Sequence, residues 1–178
     1  MSEDNNLQLN DDSAQWYAIY TKSRHEKLIE TELLKKGIEA FTPKVTIKSR
    51  WSDRTKLIEE PLFKSYCFAR FSINDSSTRN IILSQKGVVS IVRFNDKYVP
   101  LEDSVISSLR ILIENNLKLD LCPYLKEGDK VIIRRGSLKG VEGYIVEKRD
   151  KNTALVISID AIASSVKCIV PIDFVSSV

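Results

Sequence analysis

One stretch decides the fold of the second half of this 178-residue chain: Gly128-Asp129-Lys130-Val131-Ile132-Ile133-Arg134-Arg135-Gly136-Ser137-Leu138-Lys139-Gly140-Val141-Glu142-Gly143-Tyr144-Ile145-Val146. On either side of the central turn, apolar residues alternate with oppositely facing neighbours, which predicts two strands that each bury one face. The turn contains glycines that can adopt positive φ without strain. Gly143 inside the second strand predicts a bulge or a sharp bend. From this pattern alone, a tight hairpin in any β-domain is an equally good interpretation.

The order of residues in this stretch resembles the KOW motif of ribosomal and transcription-elongation proteins. The matching positions are Gly128, Asp129, Val131, Ile133, Gly136, Leu138, Gly140, Gly143 and Val146. The resemblance implies a small SH3-like barrel and a partner that is RNA, a ribosome or RNA polymerase. Residues 155–159 and 166–170 are rich in β-branched side chains, and Pro171 would break a helix. We therefore predict a constitutive barrel over residues 126–178 that does not mask the first half of the chain.

Composition narrows the class of protein. The net charge is +3, and 43% of the residues are hydrophobic and 29% charged, as in ordinary globular proteins. No apolar run is long enough to span a bilayer and the N-terminus lacks a signal-peptide pattern, so we expect a cytoplasmic protein without a membrane partner. The three cysteines are dispersed and there is one histidine, which supports neither a disulfide framework, a zinc site nor another cofactor. Cys67 and Cys168 lie in apolar runs and are predicted to be core residues.

Upstream of the barrel, residues 1–13 are polar and acidic, and we predict a disordered acidic tail. A capping box of Ser23 and Glu26 and a stop at Gly37 predict a first helix over about residues 24–36. The remaining signals predict strands at 16–20, 38–43, 66–71 and 88–94, a hairpin over 44–60 around Ser52-Asp53, a helix capped by Asp75 or Ser76 and closed by Gly87, and a helix over about 102–115.

This order of elements predicts an α+β fold, a split βαβ sandwich in which helices cover one face of an antiparallel sheet, followed by the SH3-like barrel. Residues 116–125 lose periodicity and contain Pro123, so they are predicted to be a linker. We thus divide the chain into the tail at 1–13, a first domain at 14–115, the linker, and a KOW domain at 126–178.

The first domain resembles the amino-terminal (NGN) domain of NusG-type transcription elongation factors. The resemblance rests on residues 16–20, 87–89 and 92–94 and on the segment Pro61-Leu62-Phe63 with Tyr66 and Phe68. Glu60-Pro61-Leu62-Phe63 and Val92-Arg93-Phe94 are similar to the specialised, operon-selective branch that includes RfaH and the UpxY antiterminators. The chain departs from the family at Lys64-Ser65, where Pro-Gly or Pro-Asn is common.

The resemblance implies a factor that binds the clamp of elongating RNA polymerase and suppresses pausing or termination on a specific set of operons. The candidate polymerase-binding anchors are Tyr20, Phe63, Tyr66 and Phe68. For each of them, ordinary core packing is the alternative. The resemblance leaves open whether the second domain binds a ribosomal protein or a termination factor, and we expect a monomer.

Two basic segments are candidates for nucleic-acid binding. Lys22, Arg24 and His25 stand at the junction between the first strand and helix, where the resemblance implies contact with the non-template DNA strand of the transcription bubble. Lys48, Arg50 and Arg54, together with Lys56, occupy the hairpin, with Trp51 available for stacking. For both segments, a solvated surface is the alternative.

Catalysis finds no support in the sequence. His25 has no Ser or Cys partner nearby, and there is neither a phosphate-binding glycine loop nor a pair of carboxylates on one face. We therefore expect a binding protein that is not an enzyme. The alternative function is that of a ribosome-associated or RNA-associated KOW protein, which would account for residues 126–178 but not for the resemblance of residues 16–94.

Overall fold

The computed structural model describes residues 14–50, 55–125, 128–149 and 151–177. The predicted acidic tail, residues 1–13, lies outside these ranges. Within them the chain combines three α-helices with antiparallel sheets, so the predicted α+β class is confirmed. None of the helices in the described ranges has the length and apolar character that crossing a membrane requires.

The first half of the chain is built around a central strand. Its elements are β1 (Gln15–Thr21), α1 (Glu26–Lys35), β2 (Glu39–Phe41), β3 (Lys44–Arg50), β4 (Thr55–Pro61), β5 (Tyr66–Phe71), α2 (Ser76–Leu83), β6 (Val88–Ile91), β7 (Arg93–Phe94), β8 (Lys97–Tyr98), β9 (Pro100–Leu101) and α3 (Asp103–Glu114). The sheet has the order β2-β5-β1-β6, and β9 also pairs with β1. Two hairpins, β3-β4 and β7-β8, stand apart from this sheet.

Strand β1 buries both of its faces because helices cover the sheet on each side. Tyr17 and Ile19 point into a core that contains Ile29 and Leu33 of α1 and Ile82 of α2. The alternate residues of β1 point into the opposite core, together with the apolar stripe of α3: Trp16, Ala18, Ile106, Leu109 and Leu112. The prediction that the helices lie on one face is therefore corrected, since α3 covers the second face.

The second half is an antiparallel sheet with strand order β10-β14-β13-β12-β11-β15. Its strands are β10 (Asp120–Pro123), β11 (Asp129–Ile133), β12 (Glu142–Arg149), β13 (Asn152–Ile159), β14 (Ser164–Pro171) and β15 (Val175–Ser177). The β-structure predicted for residues 155–159 and 166–170 is confirmed. The predicted linker at 116–125 is shorter than expected, because Asp120–Pro123 pairs with the edge of β14.

Two glycines in the turn stretch meet close packing. Gly136 has a φ of 72°, and a Cβ there would lie 2.9 Å from the Phe174 ring. A Cβ on Gly143 would lie 2.6 Å from the carbonyl oxygen of Val156, so this glycine permits a close approach of neighbouring strands. The predicted bulge at Gly143 is wrong in position, because the register of β12 shifts between Ile145 and Glu147.

Helix α3 is shared between the two halves. One continuous cluster of buried apolar side chains runs from the first sheet past Leu109 and Leu112 into the core of the second sheet. Ser108 is fully buried, and its Oγ accepts a hydrogen bond from the Glu142 N–H at 2.8 Å. Near the end of the helix, the Asn115 side-chain amide donates to the Ser137 carbonyl at 3.1 Å. These contacts seat the second half on the outer side of α3.

Three local predictions have different outcomes. Asp75 caps α2, with Oδ1 accepting from the N–H groups of Ser77 and Thr78, as predicted. Cys67 and Cys168 are buried, as predicted, and burial raises the pKa of each thiol to about 12. The predicted strand at 88–94 is interrupted after Ile91, since the chain reverses through a turn at residues 95–96 to pair Phe94 with Lys97.

The predicted capping box at the start of α1 is also wrong. The helix begins at Glu26 rather than at residue 24, because Arg24 adopts a φ of 64° that no helix accommodates. No side chain caps the helix, and the carboxylate of Glu26 is used elsewhere.

Candidate functional site

Tyr20 and Tyr66 form an aromatic pair at the surface of the first sheet. They lie directly opposite each other on β1 and β5, with ring centroids 5.5 Å apart and planes tilted by 48°. Tyr20 is 41% exposed and Tyr66 is half-buried. Because both side chains are fixed on adjacent strands, they present a preformed aromatic surface, which we call the tyrosine pair.

Phe63 and Phe68 form a second pair on the same side of the sheet, and it is buried. Their ring centroids are 6.0 Å apart in an edge-to-face arrangement, and the side chains are 3% and 0% exposed. Both belong to the core that contains Leu109 and Leu112 of α3. Phe63 and Phe68, which are predicted to be polymerase-binding anchors, therefore lie in the core and present no accessible surface here.

The turn before Tyr66 explains how the chain accommodates Lys64-Ser65. Ser65 has a φ of 65°, a conformation that glycine and asparagine adopt more readily than other residues. Its N–H donates to Oε1 of the buried Glu26 at 2.6 Å, and its carbonyl accepts from the Thr21 N–H at 2.9 Å. Glu26 thus joins the start of α1 to the turn that positions Tyr66.

The basic segment of residues 22–25, which connects β1 to α1, is a tight turn. The His25 N–H donates to the Lys22 carbonyl at 3.1 Å, and the His25 Nδ1 lies 3.0 Å from the Ser23 carbonyl oxygen. The side chains of Lys22 and Arg24 are exposed, whereas His25 is half-buried. Of the three predicted residues, Lys22 and Arg24 are cations without an ion-pair partner among the residues that the structure describes, and His25 helps hold the turn.

Lys86, which no sequence pattern marks as a site residue, lies next to this turn in the folded chain. The Lys22 N–H donates to the Gly87 carbonyl at 2.7 Å, and Gly87 packs so closely on the His25 ring that a Cβ would lie 2.4 Å from Cδ2. Lys86 precedes Gly87 and is exposed. No local pattern signals this contact, because it joins segments that are distant in sequence. We call Lys22, Arg24 and Lys86 the basic junction.

The β3-β4 hairpin is attached to α1 at its base. Lys44 forms an ion pair with Glu30 at 2.8 Å, and the Lys27 Nζ donates to the Glu59 carbonyl at 2.6 Å. These contacts fix the direction in which the hairpin leaves the sheet.

Only some of the predicted basic residues of the hairpin lie in the described ranges. Lys48 is exposed and lies opposite Leu57, so Lys56, the next residue on β4, points to the other face. Arg54 and Trp51 lie outside the described residues, as does the side chain of Arg50. Of the described bases, Lys48 and Lys56 therefore lie on opposite faces of the hairpin.

A cleft of about 440 Å³ separates the junction from the hairpin. Its charged lining consists of Arg24, Lys27, Lys64, Glu26, Glu59 and Glu60. The basic and acidic groups balance in number, so the lining of the cleft does not favour a polyanion. Among the described residues, no group of His, Cys, Asp or Glu side chains is arranged to hold a metal ion.

Comparisons with known proteins identify relatives of the first half of the chain. A family model described as "Transcription termination factor nusG" matches residues 14–110. No curated protein sequence matches the chain.

Among solved structures, one described as "Domain interaction in Thermotoga maritima NusG" is 20% identical, with a TM-score of 0.48, and the match covers 93% of this chain and 97% of that one. A chain of the MjSpt4:Spt5 complex in conformation B is 16% identical with a TM-score of 0.31, covering 92% and 96% of the two chains.

Proposed function

Because this chain belongs to the NusG family, we propose that it is a transcription elongation factor that binds the clamp of elongating RNA polymerase and suppresses pausing or termination. The observation that carries the proposal is the tyrosine pair. It is a partly exposed aromatic surface on a sheet whose neighbouring aromatic residues on this side, Trp16 and Phe68, are buried.

The tyrosine pair has the properties of a docking anchor. Aromatic side chains dominate the energetics of many protein interfaces, and tyrosine offers apolar area together with a hydroxyl for the partner. Tyr20 and Tyr66 are held by strand pairing, and Tyr66 is further positioned by the Ser65 turn and Glu26. A partner would therefore bind without a large cost for ordering these side chains.

We further propose that the basic junction contacts the non-template DNA strand and that these contacts direct the factor to a specific set of operons. Lys22, Arg24 and Lys86 are exposed, and within the described ranges none of them forms an ion pair with a carboxylate. Such cations pair with phosphates, and Arg24 also has the geometry to recognise guanine. The mild net charge fits this division of roles, in which polymerase docking supplies most of the affinity.

For the second half we propose a KOW domain of SH3-like barrel type over residues 126–178, which recruits a ribosomal protein or a termination factor. The glycine positions support the assignment, because a Cβ would lie 2.9 Å from the Phe174 ring at Gly136 and 2.6 Å from the Val156 carbonyl oxygen at Gly143. The proposed activity is binding, with no catalytic step and no cofactor.

Capture of the tagged full-length protein from cell extract tests the proposal. We expect core RNA polymerase to be retained by the wild type and lost from a Tyr20→Ala, Tyr66→Ala variant. Retention of ribosomal subunits or free RNA without polymerase would instead support a ribosome-associated or RNA-associated role.

The role of the junction is tested separately by recruitment to paused complexes that carry the protein's own leader sequence. The variant Lys22→Ala, Arg24→Ala is compared with Lys35→Ala, Lys36→Ala at the other end of α1, which removes the same charge. We expect only the junction variant to lose selective recruitment while both still bind core polymerase. Normal selectivity in the junction variant would contradict the proposed DNA contact.

A further inference from the structure

The turn of the second half that connects β11 to β12 carries an unneutralised cluster of cations. Arg134, Arg135 and Lys139 are all exposed. Within the described ranges, no ion pair joins any of them to a carboxylate, although Glu114 and Asp173 stand on neighbouring elements. Like charges that are held close together repel one another, so the cluster has no evident benefit for the stability of the fold.

The loop that carries these cations is firmly built. The Arg134 N–H donates to the Phe174 carbonyl at 3.0 Å, and the Gly140 N–H donates to the Ile133 carbonyl at 2.8 Å. Between them, Leu138 is 5% exposed and inserts into the core. The backbone that presents the cations is therefore ordered before any ligand binds, which lowers the entropic cost of binding.

The loop is also attached to the first half of the chain. The Asn115 side chain donates to the Ser137 carbonyl, and Gly140 lies next to Ile111 of α3. Beyond the end of α3, the side chain of Lys118 is 88% exposed and forms a long ion pair, 3.6 Å, with Asp120.

We propose that Arg134, Arg135 and Lys139 form a binding surface for the phosphates of a single-stranded nucleic acid. Phosphate groups are the polyanionic partner for which exposed, unpaired arginine and lysine side chains are best suited. Because the described part of the loop displays no exposed aromatic side chain for stacking, recognition is through the backbone and is independent of base sequence. This surface is separate from the basic junction and does not depend on polymerase binding.

The test measures binding of full-length protein to fluorescent RNA and DNA single strands of about 12 nucleotides over a range of salt concentrations. All proteins carry Lys22→Ala and Arg24→Ala, so that the basic junction contributes little. The loop variant adds Arg134→Ala, Arg135→Ala and Lys139→Ala. A matched control instead adds Lys35→Ala, Lys36→Ala and Lys97→Ala, which remove the same charge from exposed positions elsewhere.

Each phosphate contact contributes about 0.7 to the slope of log K against log salt for single strands, so the loop variant is expected to lose about 2 from this slope. The control is expected to keep the slope of the parent protein. A smaller slope with both RNA and DNA, or with RNA alone, supports the proposal and identifies the nucleic acid that is bound. A loop variant that matches the control in affinity and slope on both strands overturns it.

Discussion

Two aromatic pairs on the same side of one sheet have opposite environments. The rings of Phe63 and Phe68 are closed off beside α3, whereas those of Tyr20 and Tyr66 remain at the surface. The two pairs have similar ring separations, 6.0 and 5.5 Å. What separates core from candidate docking surface here is which part of the sheet α3 covers, and not the residue type or the clustering of aromatics in the sequence.

The buried pair gives the largest expected effect. Phe68→Ala should lower the free energy of unfolding by about 3–5 kcal/mol, because it opens a cavity beneath a fully buried ring. Chemical denaturation provides the measurement. The matched control is Phe94→Ala, which truncates the same side chain at 71% exposure and should change stability by less than about 0.5 kcal/mol. Equal effects of the two substitutions would mean that Phe68 is not a core residue.

Glu26 holds the turn at Ser65, which lies between a residue of the buried pair, Phe63, and a residue of the exposed pair, Tyr66. Glu26→Ala leaves the Ser65 N–H without its acceptor and should cost about 1–3 kcal/mol in unfolding free energy. Glu26→Gln keeps an oxygen acceptor and is expected to retain most of that stability. If both variants were as stable as the wild type, the 2.6 Å contact would have no structural role.

Helix caps and turns could be predicted from the sequence only where neighbouring residues determine them. The residues around Asp75 predict it as a helix cap, and the spacing of the glycines predicts the turn. Ser23 and Glu26 also fit a capping box, yet the carboxylate of Glu26 bonds to Ser65, 39 residues away. That competing partner exists only in the folded chain, so no local pattern could reveal it.

The candidate site shows the same limit. The family resemblance implies Tyr20, Tyr66, Phe63 and Phe68 together as aromatic anchors, and no local pattern shows which of them α3 covers. No local pattern predicts Lys86 as a site residue, because its approach to Lys22 depends on the packing of Gly87 against His25. The family resemblance predicts a candidate region, and tertiary packing decides which of its residues are accessible.

Helix α3 provides a comparison of two adjacent serines. Ser108 is fully buried and accepts from the Glu142 N–H, whereas Ser107 is exposed. Ser108→Ala should lower the unfolding free energy by about 1 kcal/mol, because the Glu142 N–H, in the contact between the two halves, loses its acceptor. Ser107→Ala should be close to neutral. Indistinguishable denaturation curves for the two variants would contradict the role of α3 as the shared element.

The most direct test of the central claim compares polymerase affinity with stability in Tyr20→Ala and Tyr66→Ala. If the tyrosine pair is the docking surface, each substitution should weaken binding to core RNA polymerase by about 2 kcal/mol, or roughly 30-fold. The unfolding free energy should meanwhile change by about 1 kcal/mol or less, because these rings are not enclosed. Phe94→Ala serves again as the exposed aromatic control and should bind normally. Unchanged polymerase affinity in both tyrosine variants, or lost affinity that only accompanies loss of the folded state, would contradict the account.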